Sequence, residues 1–103
     1  MSELSSELSS EDAKLFSLAR AARARVGADE GAAVRDGDGR SYTGVAVVQP
    51  SFRLSALQLA VASAVAAGAS TLEAAVVVTG SADVDTTAVT DMVPSAPVHI
   101  MQA

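Results

Sequence analysis

Residues 31–48 read Gly-Ala-Ala-Val-Arg-Asp-Gly-Asp-Gly-Arg-Ser-Tyr-Thr-Gly-Val-Ala-Val-Val. Two apolar runs flank paired Asp-Gly steps, a strong short-range signal for an antiparallel hairpin, because glycine supplies the positive φ that a tight turn needs. The spacing predicts strands over Gly31–Arg35 and Tyr42–Val48, with Pro50 stopping the second. On the N-terminal side, Ser9 followed by Asp12 has the form of a capping box. Leu15, Ala19, Ala22 and Val26 then fall on one helical stripe before Gly27 ends the helix. On the other side, Leu54 to Leu72 contains no charged residue. Leu57, Val61 and Val65 form a stripe there, Leu59, Ala62 and Ala66 carry apolar character around the back, and Gly68 closes the helix. A helix apolar on nearly every side is enclosed on nearly every side. One sheet of a small domain does not enclose it, so a second subunit is expected against the 54–67 helix. Glu73–Thr79 reads as a central strand buried on both faces. A loop over Gly80–Asp85, a short helix within Thr86–Val93 and a last strand, Val98–Met101, complete the order. Ala88, Val89 and Met92 turn inward from that short helix, and Pro94 ends it. The strand–helix–strand crossovers imply partly parallel pairing with right-handed connections.

Composition narrows the chemistry. The chain has 103 residues, enough for one domain. Residues 1–9 are expected to form a mobile acidic tail and residues 10–103 a single domain. Half the residues are hydrophobic but only 3% are aromatic, namely Phe16, Phe52 and Tyr42, so alanine and valine must build the core. The absence of cysteine removes disulfides, thiolate nucleophiles, iron–sulfur clusters and sulfur-ligated zinc, and fits a reducing cytoplasm. His99 is the only histidine and cannot supply the three ligands of a catalytic zinc; it reads as structural or exposed. A formal net charge of -5 argues against nucleic acid, and Lys14, Arg20, Arg23 and Arg25 read as a solvated helix face. The acidic start lacks the positive region of a signal peptide, and the alanine-rich 54–72 stretch is too weakly apolar for a membrane span. Asp36 and Asp38 suggest a calcium loop only faintly: position twelve counted from Asp36 is Val47, not a bidentate glutamate. A hairpin turn is the better reading. No Gly-x-Ser-x-Gly elbow, Ser-x-x-Lys pair or phosphate-binding Gly-x-x-x-x-Gly-Lys is present.

The element order, taken with particular residues, resembles the cytidine deaminase family. Gly31–Val34, Asp38-Gly39-Arg40 and Tyr42-Thr43-Gly44 are similar to the family's opening hairpin. Ala64–Gly68 and Ala75–Val78 are similar to the end of its active-site helix and the strand that follows, so the resemblance covers roughly residues 12–79. It implies an α/β fold, a three-layer α/β/α sandwich with a mixed sheet of about four strands, shortened at the C-terminus. It also implies dimers or tetramers with the active-site helices near the centre. The departures fall on the chemistry. Where the family holds ribose with an asparagine and a glutamate, this chain has Ala46 and Val48. Where the family's helix begins with a zinc ligand followed two residues later by a proton-shuttling glutamate, counting from the hairpin gives Leu57 and Leu59. Counting back from Gly68 gives Ser55 and Leu57 instead. The later Pro-Cys-x-x-Cys motif falls between about Ala82 and Thr87, where no cysteine stands.

Deamination of cytosine needs a water acidified by a metal and a carboxylate to carry its proton. The resemblance therefore implies a non-catalytic member, without zinc, cofactor or catalytic residue. Such a protein would be a structural or protein-interaction module, a homo-oligomer through the 54–67 helix, in a bacterial cytoplasm. Abundant alanine and arginine beside the single Lys14 fit a GC-rich genome. The alternative is a nucleoside-like small-molecule sensor in which Gln49, Arg53 and Gln58 line a residual cleft.

Overall fold

The structure, a computed structural model, describes residues 9–102. The tail expected over residues 1–9 thus lies outside the described residues except for Ser9, which starts the first helix, α1 (Ser10–Val26). Its hydroxyl accepts the Asp12 N–H at 3.1 Å, satisfying one of the donors that a helix start leaves unpaired. Asp12 does not complete the expected capping box, because its carboxylate is bound to Arg35 and His99. Gly27, at φ 64°, ends α1 in the left-handed conformation common after a helix.

The hairpin follows as β1 (Glu30–Asp36) and β2 (Ser41–Val45), antiparallel, with Ala33 opposite Thr43. Of the two turn glycines only Gly39 has positive φ, 86°, so one glycine rather than both supplies the unusual conformation. The strand expected through Val48 breaks at Ala46. Val47–Val48 (β3) turns aside to pair with Arg53–Leu54 (β4), and Gln49 N–H closes that ribbon on the Phe52 carbonyl at 3.0 Å. The ribbon delivers the chain to Ser55, the N-cap of α2 (Ala56–Ala66), which is shorter than the 54–67 helix expected because Leu54 belongs to β4. A side chain at Gly44 would come within 2.6 Å of the Ala60 nitrogen, so α2 sits directly on β2 there.

The central strand β5 (Leu72–Thr79), the short helix α3 (Thr87–Thr90) and β6 (Val98–Gln102) complete the fold. α3 is shorter than the 86–93 span expected, but Val89 is buried and Ala88 and Met92 pack on the core as the pattern predicted. The sheet order is β2-β1-β5-β6, with β1 antiparallel to both neighbours and β5 parallel to β6. Alternation along the strands divides the interior in two. Ala32, Val34, Ala75 and Val77 join the α2 side with Leu57 and Val61; Ala33, Ala74, Val76 and Val78 join the α1 side with Leu15 and Ala19. The result is a three-layer α/β/α sandwich. Each fully buried leucine, such as Leu15 or Leu57, contributes about 2 kcal/mol by leaving water.

Two stripe assignments need correction. Val26, at the end of α1, and Val65, on α2, are exposed rather than packed. Val26 lies where the helix runs out. Val65 lies outside the strip of Ala56, Leu57, Ala60, Val61 and Ala64 that meets the sheet. No helix among the described residues is long and apolar enough to cross a membrane.

Candidate functional site

Three strand ends converge beside the start of α2: the beginning of β1, the end of β5 and the exit from β2. The helix start is closed by protein groups. Ser55 Oγ accepts the Gln58 N–H at 3.0 Å, and Gln58 Oε1 accepts the Ser55 N–H at 2.9 Å, a reciprocal capping box. Glu30, on the α2 face of β1, accepts the Ala56 N–H through Oε1 at 3.1 Å. Its Oε2 accepts the Thr79 hydroxyl at 3.2 Å, and Thr79 Oγ1 in turn accepts the Ser81 N–H at 3.0 Å. A carboxylate here is favoured by the positive end of the helix dipole. Sequence reasoning missed Glu30: its partners lie 26 and 49 residues away, and no local pattern marks it.

With α2 beginning at Ser55, the helix-start position falls on Ser55 and the position two residues later on Leu57. Leu57 is 1% exposed and shares one apolar cluster with Val61, Ala60 and the fully buried Val89 of α3. The strand positions behave differently from one another. Ala46 lines an open cleft of about 520 Å³ with Arg23, Asp29, Glu30, Thr79, Gly80 and Ser81, whereas Val48 lies exposed on the β3–β4 ribbon. Gln58, though exposed, spends its side chain on the helix cap, and Gln49 and Arg53 are exposed on that ribbon, so none of the three polar residues expected to line a residual cleft lines the one at Ala46. The donor set does not fit a zinc ion. Ser55 Oγ and both Glu30 oxygens are engaged, Leu57 offers no donor, and no cysteine exists. Among the described residues no group of three or more His, Asp or Glu side chains is gathered as a metal needs.

His99 lies on the opposite side of the sheet. Its Nε2 is 3.0 Å from Asp12 Oδ2, Arg35 Nη2 donates to Asp12 Oδ1 at 2.9 Å, and Arg35 Nε donates to Glu73 at 2.8 Å. Burial disfavours the Arg35 charge, but the bonds to Glu73 and Asp12 outweigh it and push its pKa further up. This cluster ties α1, β1, β5 and β6 together. Its sequence signal was Arg35 itself, which shares the inward parity of Ala33 and so requires a partner. Asp36, expected in the hairpin turn, instead ends β1; it is buried there, and it accepts from the backbone of Asp38 and Arg40 and from Tyr42.

A family model described as cytidine deaminase-like matches residues 8–103. No curated protein matches the chain. Among solved structures, the cytidine deaminase from Burkholderia pseudomallei is similar at 25% identity and a TM-score of 0.62, over 73% of this chain and 68% of that one. Because the family match spans nearly the whole sequence and the sandwich superposes on a solved deaminase, the chain belongs to the cytidine deaminase-like family.

Proposed function

We propose that this protein is a non-catalytic cytidine deaminase-like protein that serves as a structural or protein-interaction module. The observation that carries the reading is Leu57. A deaminase needs a carboxylate two residues after the helix start to move the proton of a metal-bound water. Here that position is apolar, 1% exposed and packed with Val89 in the core. Ser55 and Glu30 support the same reading, since their oxygens are consumed in closing the helix end. The activity named for the Burkholderia pseudomallei protein is therefore not carried over to this chain.

The interaction role rests on the outer face of α2. Ala62, Val65 and Ala66 are exposed on an uncharged helix, and Phe52, 51% exposed, stands on the adjoining ribbon. A second copy covering this face gives a homodimer or tetramer, which we place in a bacterial cytoplasm. The cleft beside Glu30 favours one alternative, a small-molecule sensor of nucleoside-like ligands without catalysis. Incubation of the purified protein with cytidine and deoxycytidine, with and without added zinc, tests the main reading. No ammonia release is expected, and zinc-dependent release overturns it. Thermal unfolding with a nucleoside panel separates the alternative, because a ligand that binds the folded state raises the midpoint.

A further inference from the structure

The outward face of α1 carries charge that the remainder of the chain opposes. Lys14, Arg20, Arg23 and Arg25 stand between Ala13 and Gly27 with no acid among them, whereas residues 28–103 hold eight acids against three arginines. Lys14 pairs with Glu11 at 3.3 Å, and Arg23 Nε donates to the Asp29 carbonyl at 3.1 Å. Arg20 and Arg25 form no ion pair among the described residues. The Arg20 guanidinium lies over the Phe16 ring, 5.5 Å from its centroid, which holds it along the helix surface. At about 100° per residue, Arg20 and Arg25 fall on opposite flanks of the exposed strip Ser17, Ala21 and Ala24. A shallow depression of about 280 Å³ lies over Ser17, Arg20, Ala21 and Ala24, and Leu18 beside it is 39% exposed.

We propose that this face docks an acidic amphipathic helix of a partner protein, with Arg20 and Arg25 pairing to carboxylates on its two flanks. The inference deepens the interaction-module reading and rests on it. Charge complementarity selects the occupant. Basic residues flanking a helix seam choose an acidic partner and repel a second copy laid on the same face, arginine against arginine. Nucleic acid is a poorer match, because the rest of the surface is acidic and no aromatic residue interrupts the strip to stack on bases. The sheet separates α1 from α2, so self-association through α2 leaves this face turned outward.

The probe is a synthetic three-heptad helix with leucine and alanine along its seam and glutamate on both flanks, beside a counterpart with lysine flanks. Amide shifts of the labelled protein at low salt are expected to change along α1 with the glutamate peptide alone, and the effect is expected to fade as salt rises. The double variant Arg20→Glu, Arg25→Glu should weaken that binding about tenfold and gain binding of the lysine peptide. Arg20→Gln with Arg25→Gln should weaken it without that gain. Equal binding of both peptides, shifts outside α1, or α1 shifts produced by duplex DNA or anionic vesicles and not by the glutamate peptide would overturn the proposal. Ammonia release from cytidine, measured on the same preparation, bears only on the non-catalytic reading and leaves the α1 result standing.

Discussion

Asp36 shows how much a single buried carboxylate organises. Its Oδ1 accepts the N–H groups of Asp38 and Arg40, each at 2.9 Å, and its Oδ2 accepts the Tyr42 hydroxyl at 2.9 Å. Burial alone pushes its pKa up, but the bonds from Arg40, Tyr42 and Asp38 outweigh that and hold it below the ordinary 3.8. Tyr42 is correspondingly raised, chiefly by donating to Asp36. A depressed folded value means that the ionised group contributes stability in full above pH 3.8 and loses it as pH falls through the lower folded value. Asp36→Asn should therefore lower the urea midpoint followed by circular dichroism at pH 7, and the gap to the native chain should close below pH 3.8. At Leu57 the expected cost is that of a core cavity: Leu57→Ala should lose about 2–4 kcal/mol. Leu57→Glu should destabilise at least as strongly, since it buries a charge without a partner, and should release no ammonia from cytidine. The apolar character of Leu57 was legible in the sequence, whereas the burial of Asp36 was not. An aspartate beside an Asp-Gly turn looks the same in the sequence whether it faces water or ends a strand and collects three bonds from residues up to six positions away.

The helices and the central strand were legible as elements because their signals are local: Ser9 and Gly27 bound α1, the uncharged apolar run before Gly68 marks α2, and the valine run marks β5. The strand expected to continue through Val48 was misread, since its alternation does not reveal that Val47 and Val48 leave the sheet to pair with Arg53 and Leu54. The start of α2 joins local and distant signals. Ser55 and Gln58 form a local box, which the helix start expected at Leu54 passed over; Glu30 reaches the same helix end from another strand. Ser55→Ala should cost about 1 kcal/mol as a lost cap. Glu30→Ala should cost a similar amount and also strand the Thr79 hydroxyl, while Glu30→Gln, which keeps an acceptor but gives up the charge facing the helix dipole, should fall between Glu30→Ala and the native chain. Denaturant midpoints of the three variants give that order. Equal loss from the alanine and glutamine variants would mean that charge, rather than hydrogen bonding, holds the junction.

Across the whole molecule, α1 and α2 cover opposite faces of one sheet, yet their outer faces differ in kind. That of α1 is ringed by arginine, and that of α2 carries no charge at all. The expectation that α2 is enclosed on every side came from its composition, and composition does not say which side a sheet can reach. The sheet and α3 cover Leu57, Val61 and Ala64 but leave Val65 51% exposed, together with Ala62 and Ala66. An uncharged helical face lying open to water costs nothing to fold around, because an alanine there satisfies helix propensity without demanding burial. It does cost solubility, and the proposed second copy would relieve that by covering the same face on both subunits. Val65→Glu separates the two roles of the helix. The substitution lies away from the buried strip, so far-UV circular dichroism and the unfolding midpoint of the isolated subunit should hardly move. Light scattering should show a dimer or larger assembly for the native chain and a monomer for Val65→Glu, because like charges then meet across the two-fold contact. A native chain that scatters as a monomer at every concentration would instead leave α2 with a bare apolar face, and would move the interaction role to α1 alone.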